Sequence, residues 1–109
     1  MEAEQFETLL IKRLDQIQNT LGHKAKEYVQ EGDRLYNFKV AARVNNTTSA
    51  KALWGMITKH LVSVMDLKDG KLKATHAMIN EKIGDMINYL ILLEAILKED
   101  LNEEDNPLS

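Results

Sequence analysis

The chain has 109 residues, of which 44% are hydrophobic and 28% charged, with a formal net charge of −3. This is ordinary globular composition and the length of one domain, residues 1–109, with room for a single modest core. The absence of Cys excludes a disulfide framework, a thiolate metal site and a cysteine nucleophile, and it fits a reducing cytosol. No apolar run reaches the ~18 residues of a membrane-spanning helix, and the acidic start MEAEQFETLL lacks the basic region of a secretory leader. A soluble cytoplasmic protein with no membrane partner is expected.

Taken in chain order, Glu4–Gln18 reads as a helix with Phe6, Leu9, Leu10, Ile11, Leu14 and Ile17 on its apolar side, continued by Leu21 and ended or interrupted at Gly22. Helical character resumes over His23–Val29 and breaks at Glu31-Gly32-Asp33, where Gly32 permits positive φ and Asp33 is a candidate N-cap. Arg34–Val44 forms a short second helix with Leu35, Phe38 and Ala42 inward. Asn45-Asn46-Thr47-Thr48 is a polar turn, and Thr48 or Ser49 caps the next helix.

That helix spans about Ala50–Leu67, with Leu53, Trp54, Ile57, Leu61, Val64 and Met65 on its apolar sides and Lys59, Ser63 and Asp66 in a polar column. Trp54, at helical spacing with Leu53 and Ile57, reads as core, with base stacking the alternative. Lys68-Asp69-Gly70-Lys71 is a turn. Thr75 or His76 begins the approach to a long helix over Met78–Lys98, and the acidic tail Glu99–Ser109, with the only Pro, is expected to fray. No segment alternates at period two. The fold class is all-α, a compact bundle of about four helices ending in an antiparallel helical hairpin.

The last long helix holds Ile79, Ile83, Met86, Ile87, Leu90, Ile91, Leu93 and Leu97 on one broad face, and Glu81, Asp85 and Asn88 at i, i+4 and i+7 on a different one. In the hairpin Asp66 is expected near Glu81, Ser63 near Asp85 and Lys59 near Asn88. An acidic column of this kind can hold Mg²⁺ through Asp66, Glu81 and Asp85, or face water with salt bridges to Lys59 or Lys82. Asn88, in apolar surroundings, needs hydrogen-bond partners from a ligand or from the fold.

Charge is distributed unevenly. Arg34–Met65 contains no Asp or Glu but holds Arg34, Lys39, Arg43, Lys51, Lys59 and His60, while the remainder carries 17 acidic against nine basic groups. A basic middle third fits either an anionic ligand such as phosphate or the acidic helices of the same fold or of a second subunit. The few basic residues and negative total argue against an extended nucleic-acid surface. Asp33, Arg34, Tyr36, Asn37 and Lys39 cluster at a helix start, a place suited to an anion. The candidate ligand residues are thus Arg34, Tyr36, Asn37, Lys39, Arg43, Lys59, His60 and Asn88. His23 and His76, isolated in sequence, read as surface residues.

Residues Glu81–Tyr89, EKIGDMINY, resemble the second metal-binding segment of the all-helical MazG-type nucleoside triphosphate pyrophosphohydrolases, in which an E-E-x-G-D pattern is typical. The wider set KEY (Lys26–Tyr28), DRLYNF (Asp33–Phe38), ALWGM (Ala52–Met56), KHLVSVMDL (Lys59–Leu67) and EKIGDMINYLILL (Glu81–Leu93) is similar to small helical proteins of phages and prophages. The chain departs from the enzymes where Lys82 replaces the second Glu, and where Lys59 and Ser63 replace an E-x-x-E pair on the preceding helix. The resemblance implies a nucleotide-handling, homo-oligomeric bundle, with Mg²⁺ as its cofactor.

Three functions remain open. The chain can sequester a phosphate-containing nucleotide or nucleotide signal, such as one used in host defence. It can be a Mg²⁺-dependent pyrophosphohydrolase, or a helical module that binds another polypeptide. The missing carboxylates favour sequestration, because hydrolysis needs several of them around its metal ions.

Overall fold

In a computed structural model of the chain, the structure describes residues 1–22 and 32–104. The regular elements among them are four helices: α1 (Ala3–Leu21), α2 (Tyr36–Val44), α3 (Ser49–Lys68) and α4 (His76–Glu104). The helical expectation for His23–Val29, the position of His23, the Lys26–Tyr28 motif and the last five residues of the tail lie outside the described residues.

Local chemistry sets most of the boundaries. Thr48 Oγ1 accepts the Lys51 N–H at 3.2 Å and starts α3. Thr75 Oγ1 accepts the Met78 N–H at 3.1 Å and does the same for α4. Two helices end in paired reverse bonds around a residue of positive φ. After α3, Gly70 (φ 75°) donates to the Leu67 carbonyl and Lys71 to that of Asp66. After α2, Asn46 (φ 51°) donates to the Arg43 carbonyl and Thr47 to that of Ala42.

Two expected boundaries are corrected. The second helix begins at Tyr36 rather than Arg34, because Asp33 forms a side-chain turn in which its Oδ1 accepts the Leu35 N–H at 2.9 Å. Helix α4 begins at His76 and continues to Glu104, beyond the expected Met78–Lys98.

The hairpin of α3 and α4 carries the core. Leu53 and Ile57 of α3 and Ile96 of α4 are sealed from solvent, and Leu35 completes the cluster from the turn before α2. Phe38, Ala50, Met86, Tyr89, Leu92 and Leu93 pack around them. Leu53 and Ile57 lie level with Ile96, whereas His60, further along α3, meets Asp85 and Tyr89, earlier in α4. The two helices are therefore antiparallel, as expected.

The rotation of α4 differs from the expected one. Its inward face is Asp85, Tyr89, Leu92 and Ile96, spaced i, i+4, i+7 and i+11. Of the expected core stripe, Met86 and Leu93 pack against the core as expected, whereas Ile79, Leu90, Ile91 and Leu97 are exposed. Trp54 is also 52% exposed rather than core, because Leu53 and Ile57 take the inward side of α3.

Helix α1 lies against the first half of α4, where Arg13 Nη2 donates to the Asn80 carbonyl at 3.2 Å. Gly84 makes room for this contact, since a Cβ there would stand 2.6 Å from Arg13 Nη1. None of the residues of α1 is buried.

Truncating the central contact tests this arrangement. Leu53→Ala is expected to lower unfolding free energy by about 2–5 kcal/mol, measured by urea denaturation. A loss below about 1 kcal/mol would place Leu53 outside the core.

Candidate functional site

A cleft of about 430 Å³ opens where the end of α1 meets α2, α3 and α4. Its described walls are Thr20 and Leu21 from α1, Arg34, Asn37 and Phe38 around the start of α2, Met56 from α3, and Asp85, Asn88, Tyr89 and Leu92 from α4. The volume lies within the ~300–1,000 Å³ of small-ligand pockets, and mostly apolar walls with a few converging polar groups suit such a ligand.

The inward rotation of α4 explains the polar floor. Asp85 and Asn88 share the turn of helix that carries Tyr89 into the core, so both are drawn inward with it. Asn88 Oδ1 is buried and has no hydrogen-bond partner among the described residues. A buried, unpaired amide oxygen costs about 1–3 kcal/mol, which a ligand donor at that position would recover. Asp85 Oδ2 stands 3.5 Å from His60 Nδ1, and the His60 ring lies on Tyr89 with centroids 4.7 Å apart and planes tilted by 31°. Arg34 reaches the cleft while its Nη2 donates to the Leu21 carbonyl at 3.3 Å, which holds the guanidinium between α1 and α2.

Of the ligand residues expected from sequence, the fold brings Arg34, Asn37 and Asn88 to the cleft and sets His60 against its Asp85 and Tyr89 walls. Lys59, one position away, is exposed, and Ser63 Oγ turns back to the Lys59 carbonyl at 3.3 Å. The side of α3 that meets Asp85 is therefore that of His60, not the expected Lys59–Ser63 column. Arg43 is exposed in the last turn of α2, and Tyr36 does not line the cleft. Neither does the half-exposed Trp54. His76 is exposed at the start of α4, as expected.

Lys39 ties the fold together. Its Nζ bridges Asp33 Oδ2 at 2.6 Å and Glu99 Oε1 at 2.7 Å, joining the approach to α2 with the far half of α4. Asp33 accepts the Leu35 N–H with its side chain and the Tyr36 N–H with its carbonyl. The anion at this helix start is the chain's own carboxylate.

Two of the carboxylates expected to bind metal have side-chain neighbours of their own. Glu81 is exposed beside Lys82, whose Nζ lies 3.4 Å from Glu81 Oε2, while Asp85 faces His60. The Asp66 carbonyl accepts the Lys71 and Leu72 N–H groups at the end of α3. Among the described residues no three His, Cys, Asp or Glu side chains gather to hold a metal ion, so Asp66, Glu81 and Asp85 do not fit a magnesium cage built by the protein.

No family model, curated protein or solved structure matches this chain. The geometry of the cleft therefore carries the functional argument. Several of its walls, Thr20, Leu21, Phe38, Met56, Tyr89 and Leu92, were not singled out as ligand residues from the sequence. Apart from the polar Thr20, their one signal is apolar or aromatic character on helix faces whose rotation only packing sets.

Two outcomes are expected. Asn88→Leu, similar in size and without an amide, should leave the stability of the ligand-free protein within about 1 kcal/mol of the original or raise it, read by thermal melting. A larger loss would mean that Asn88 is structurally bonded. The hydrogen bond from Lys39, with a second from the Leu35 N–H, holds the Asp33 carboxyl below its ordinary value. Its contribution is present above the unfolded carboxyl pKa of about 3.9 and fades as pH falls through the lower folded value. For this partly exposed pair, Asp33→Asn should cost no more than about 1 kcal/mol at neutral pH through loss of the ion pair. The gap between the two melting curves should close in acid, and a gap independent of pH would contradict the assignment.

Proposed function

We propose that the protein binds a phosphate-containing nucleotide or nucleotide signal in the cleft and sequesters it without turnover. The observation that carries this reading is the buried Asn88 Oδ1, without a partner among the described residues, at a small-ligand cleft that is also lined by Arg34, Asn37 and aromatic side chains. An exocyclic amine or ring N–H of a base is the kind of donor that oxygen lacks. Phe38 and Tyr89 offer aromatic surface to a base. Arg34 is the cation among the described cleft residues, and its planar fork suits a phosphate. In the phage setting that the sequence resemblance implies, such a protein acts as a sponge for a nucleotide signal of host defence.

Sequestration is favoured over pyrophosphohydrolysis because the described carboxylates are not grouped to hold catalytic metal ions. Any Mg²⁺ in the complex is carried by the phosphates of the ligand, with Asp85 the carboxylate at hand in the cleft.

A panel of linear and cyclic nucleotides, read by melting temperature and calorimetry with and without EDTA, tests this function. At least one nucleotide is expected to bind saturably and to raise the melting temperature, with no release of phosphate or pyrophosphate. Asn88→Leu and Asn37→Ala should each weaken that binding about tenfold or more, or ~1.4 kcal/mol. Absence of any shift across the panel, or binding indifferent to Asn88→Leu, would refute the proposal. Product release dependent on Mg²⁺ would establish the hydrolase instead.

A further inference from the structure

We propose that the groove between α1 and the first half of α4 is a second ligand site, and that it takes an aliphatic carboxylate of medium chain length. The methylene chain lies on aliphatic walls and the carboxylate on Lys12 and Arg13. The groove encloses about 430 Å³, within the ~300–1,000 Å³ of small-ligand pockets. It shares no described wall with the cleft, so this site stands or falls apart from nucleotide binding.

The apolar walls set the body of the ligand. Leu9 of α1 lines the groove together with Ile79, Ile83 and Ile87 of α4, the isoleucines about one turn apart. Leu9 is 49% and Ile79 41% exposed, so apolar surface here is still open to water and its burial favours binding. No Phe, Tyr or Trp is among the described walls, whereas the cleft has Phe38 and Tyr89. The groove thus suits a saturated chain and gives a base nothing to stack on. The run from Ile79 to Ile87 is about 12 Å long, the reach of an extended chain of about ten carbons. An α-helix about 10 Å across would need roughly 900 Å³ over the same length. That exceeds the groove, which holds one thin chain and not a further helix.

Charge sets the head of the ligand. The titratable side chains on the described walls are Lys12, Arg13 and His76. Glu4, Glu7 and Asp15 of α1 lie off the groove, as do Glu81 and Asp85 of α4. A chain of net charge −3 therefore keeps its described carboxylates away from this lining. Lys12 is exposed and makes no ion pair among the described residues. Arg13 is anchored without being neutralised: its Nη2 donates to the Asn80 carbonyl at 3.2 Å, and no described carboxylate pairs with it. A guanidinium held in place with N–H groups to spare is prepared for a carboxylate.

Sodium dodecanoate below its micelle concentration is the probe. Calorimetry is expected to show saturable binding at one site per chain. The methyl resonances of Ile79, Ile83 and Ile87 should move, while the Asn37 and Asn88 side-chain amides stay in place. Octanoate should bind at least about tenfold more weakly, because it buries fewer methylenes. Dodecyltrimethylammonium, with the opposite charge, should also lose at least about tenfold. Lys12→Glu should weaken dodecanoate about fivefold or more, and Lys12→Arg should bind it like the original protein, which separates loss of charge from loss of fold. Several results would overturn the proposal: no saturable binding, indifference to Lys12→Glu or to the charge of the ligand, or methyl shifts only outside the groove. Attachment to phosphatidylglycerol vesicles without binding of the dissolved carboxylate would do the same.

Discussion

The contact of Leu53 and Ile57 with Ile96 is the constraint on which the rest of the structure depends. These three side chains are the largest fully buried ones described, and they fix both the height and the rotation of α4 against α3. Once Ile96 is committed inward, helical geometry commits Leu92, Tyr89 and Asp85 to the same side. Asn88 follows to the edge of that face. A polar turn is thereby drawn into the space left by the short α2. The cleft is a consequence of core packing, and an amide oxygen without a partner among the described residues is a cost that the packing imposes.

Lys39 completes the frame. By joining Asp33 and Glu99 it holds the approach to α2 against α4, and Arg34 follows Asp33 immediately in the chain. The two hydrogen bonds that raise the Lys39 pKa above its usual value keep its ammonium protonated through the neutral range. The basic segment thus divides its labour: Lys39 secures the fold, Arg34 borders the cleft, and Arg43, Lys51 and Lys59 are exposed.

Helix existence and type were legible in the sequence because apolar spacing and turn residues agree at nearly every junction. Thr48, Gly70 and Thr75 each mark a boundary that the structure confirms. The start of α2 was misplaced because Asp33 engages Leu35 by a side-chain turn before the helix begins. The rotation of α4 was not legible, because a helix apolar on several sides has no single inward stripe. Of the expected face, Met86 and Leu93 pack against the core while Leu90, Ile91 and Leu97 are exposed, and the anchor, Ile96, lies off that face. Their spacing makes Asp85 and Asn88 neighbours, but the sequence pattern puts them on a different face from the core, whereas both line the cleft. The i, i+4 spacing of Glu81 and Asp85 suggested a shared metal, yet Glu81 lies beside Lys82 and Asp85 beside His60.

In the proposed complex the buried oxygen of Asn88 takes its donor from a bound nucleotide. The most direct measurement is the side-chain amide spectrum of isotope-labelled protein during titration with the tightest-binding nucleotide. The Asn88 and Asn37 amide resonances, both at the cleft, are expected to move together and saturate, while that of Asn45, which does not line the cleft, stays in place. Movement confined to residues outside the cleft, with Asn88 unchanged, would contradict the account.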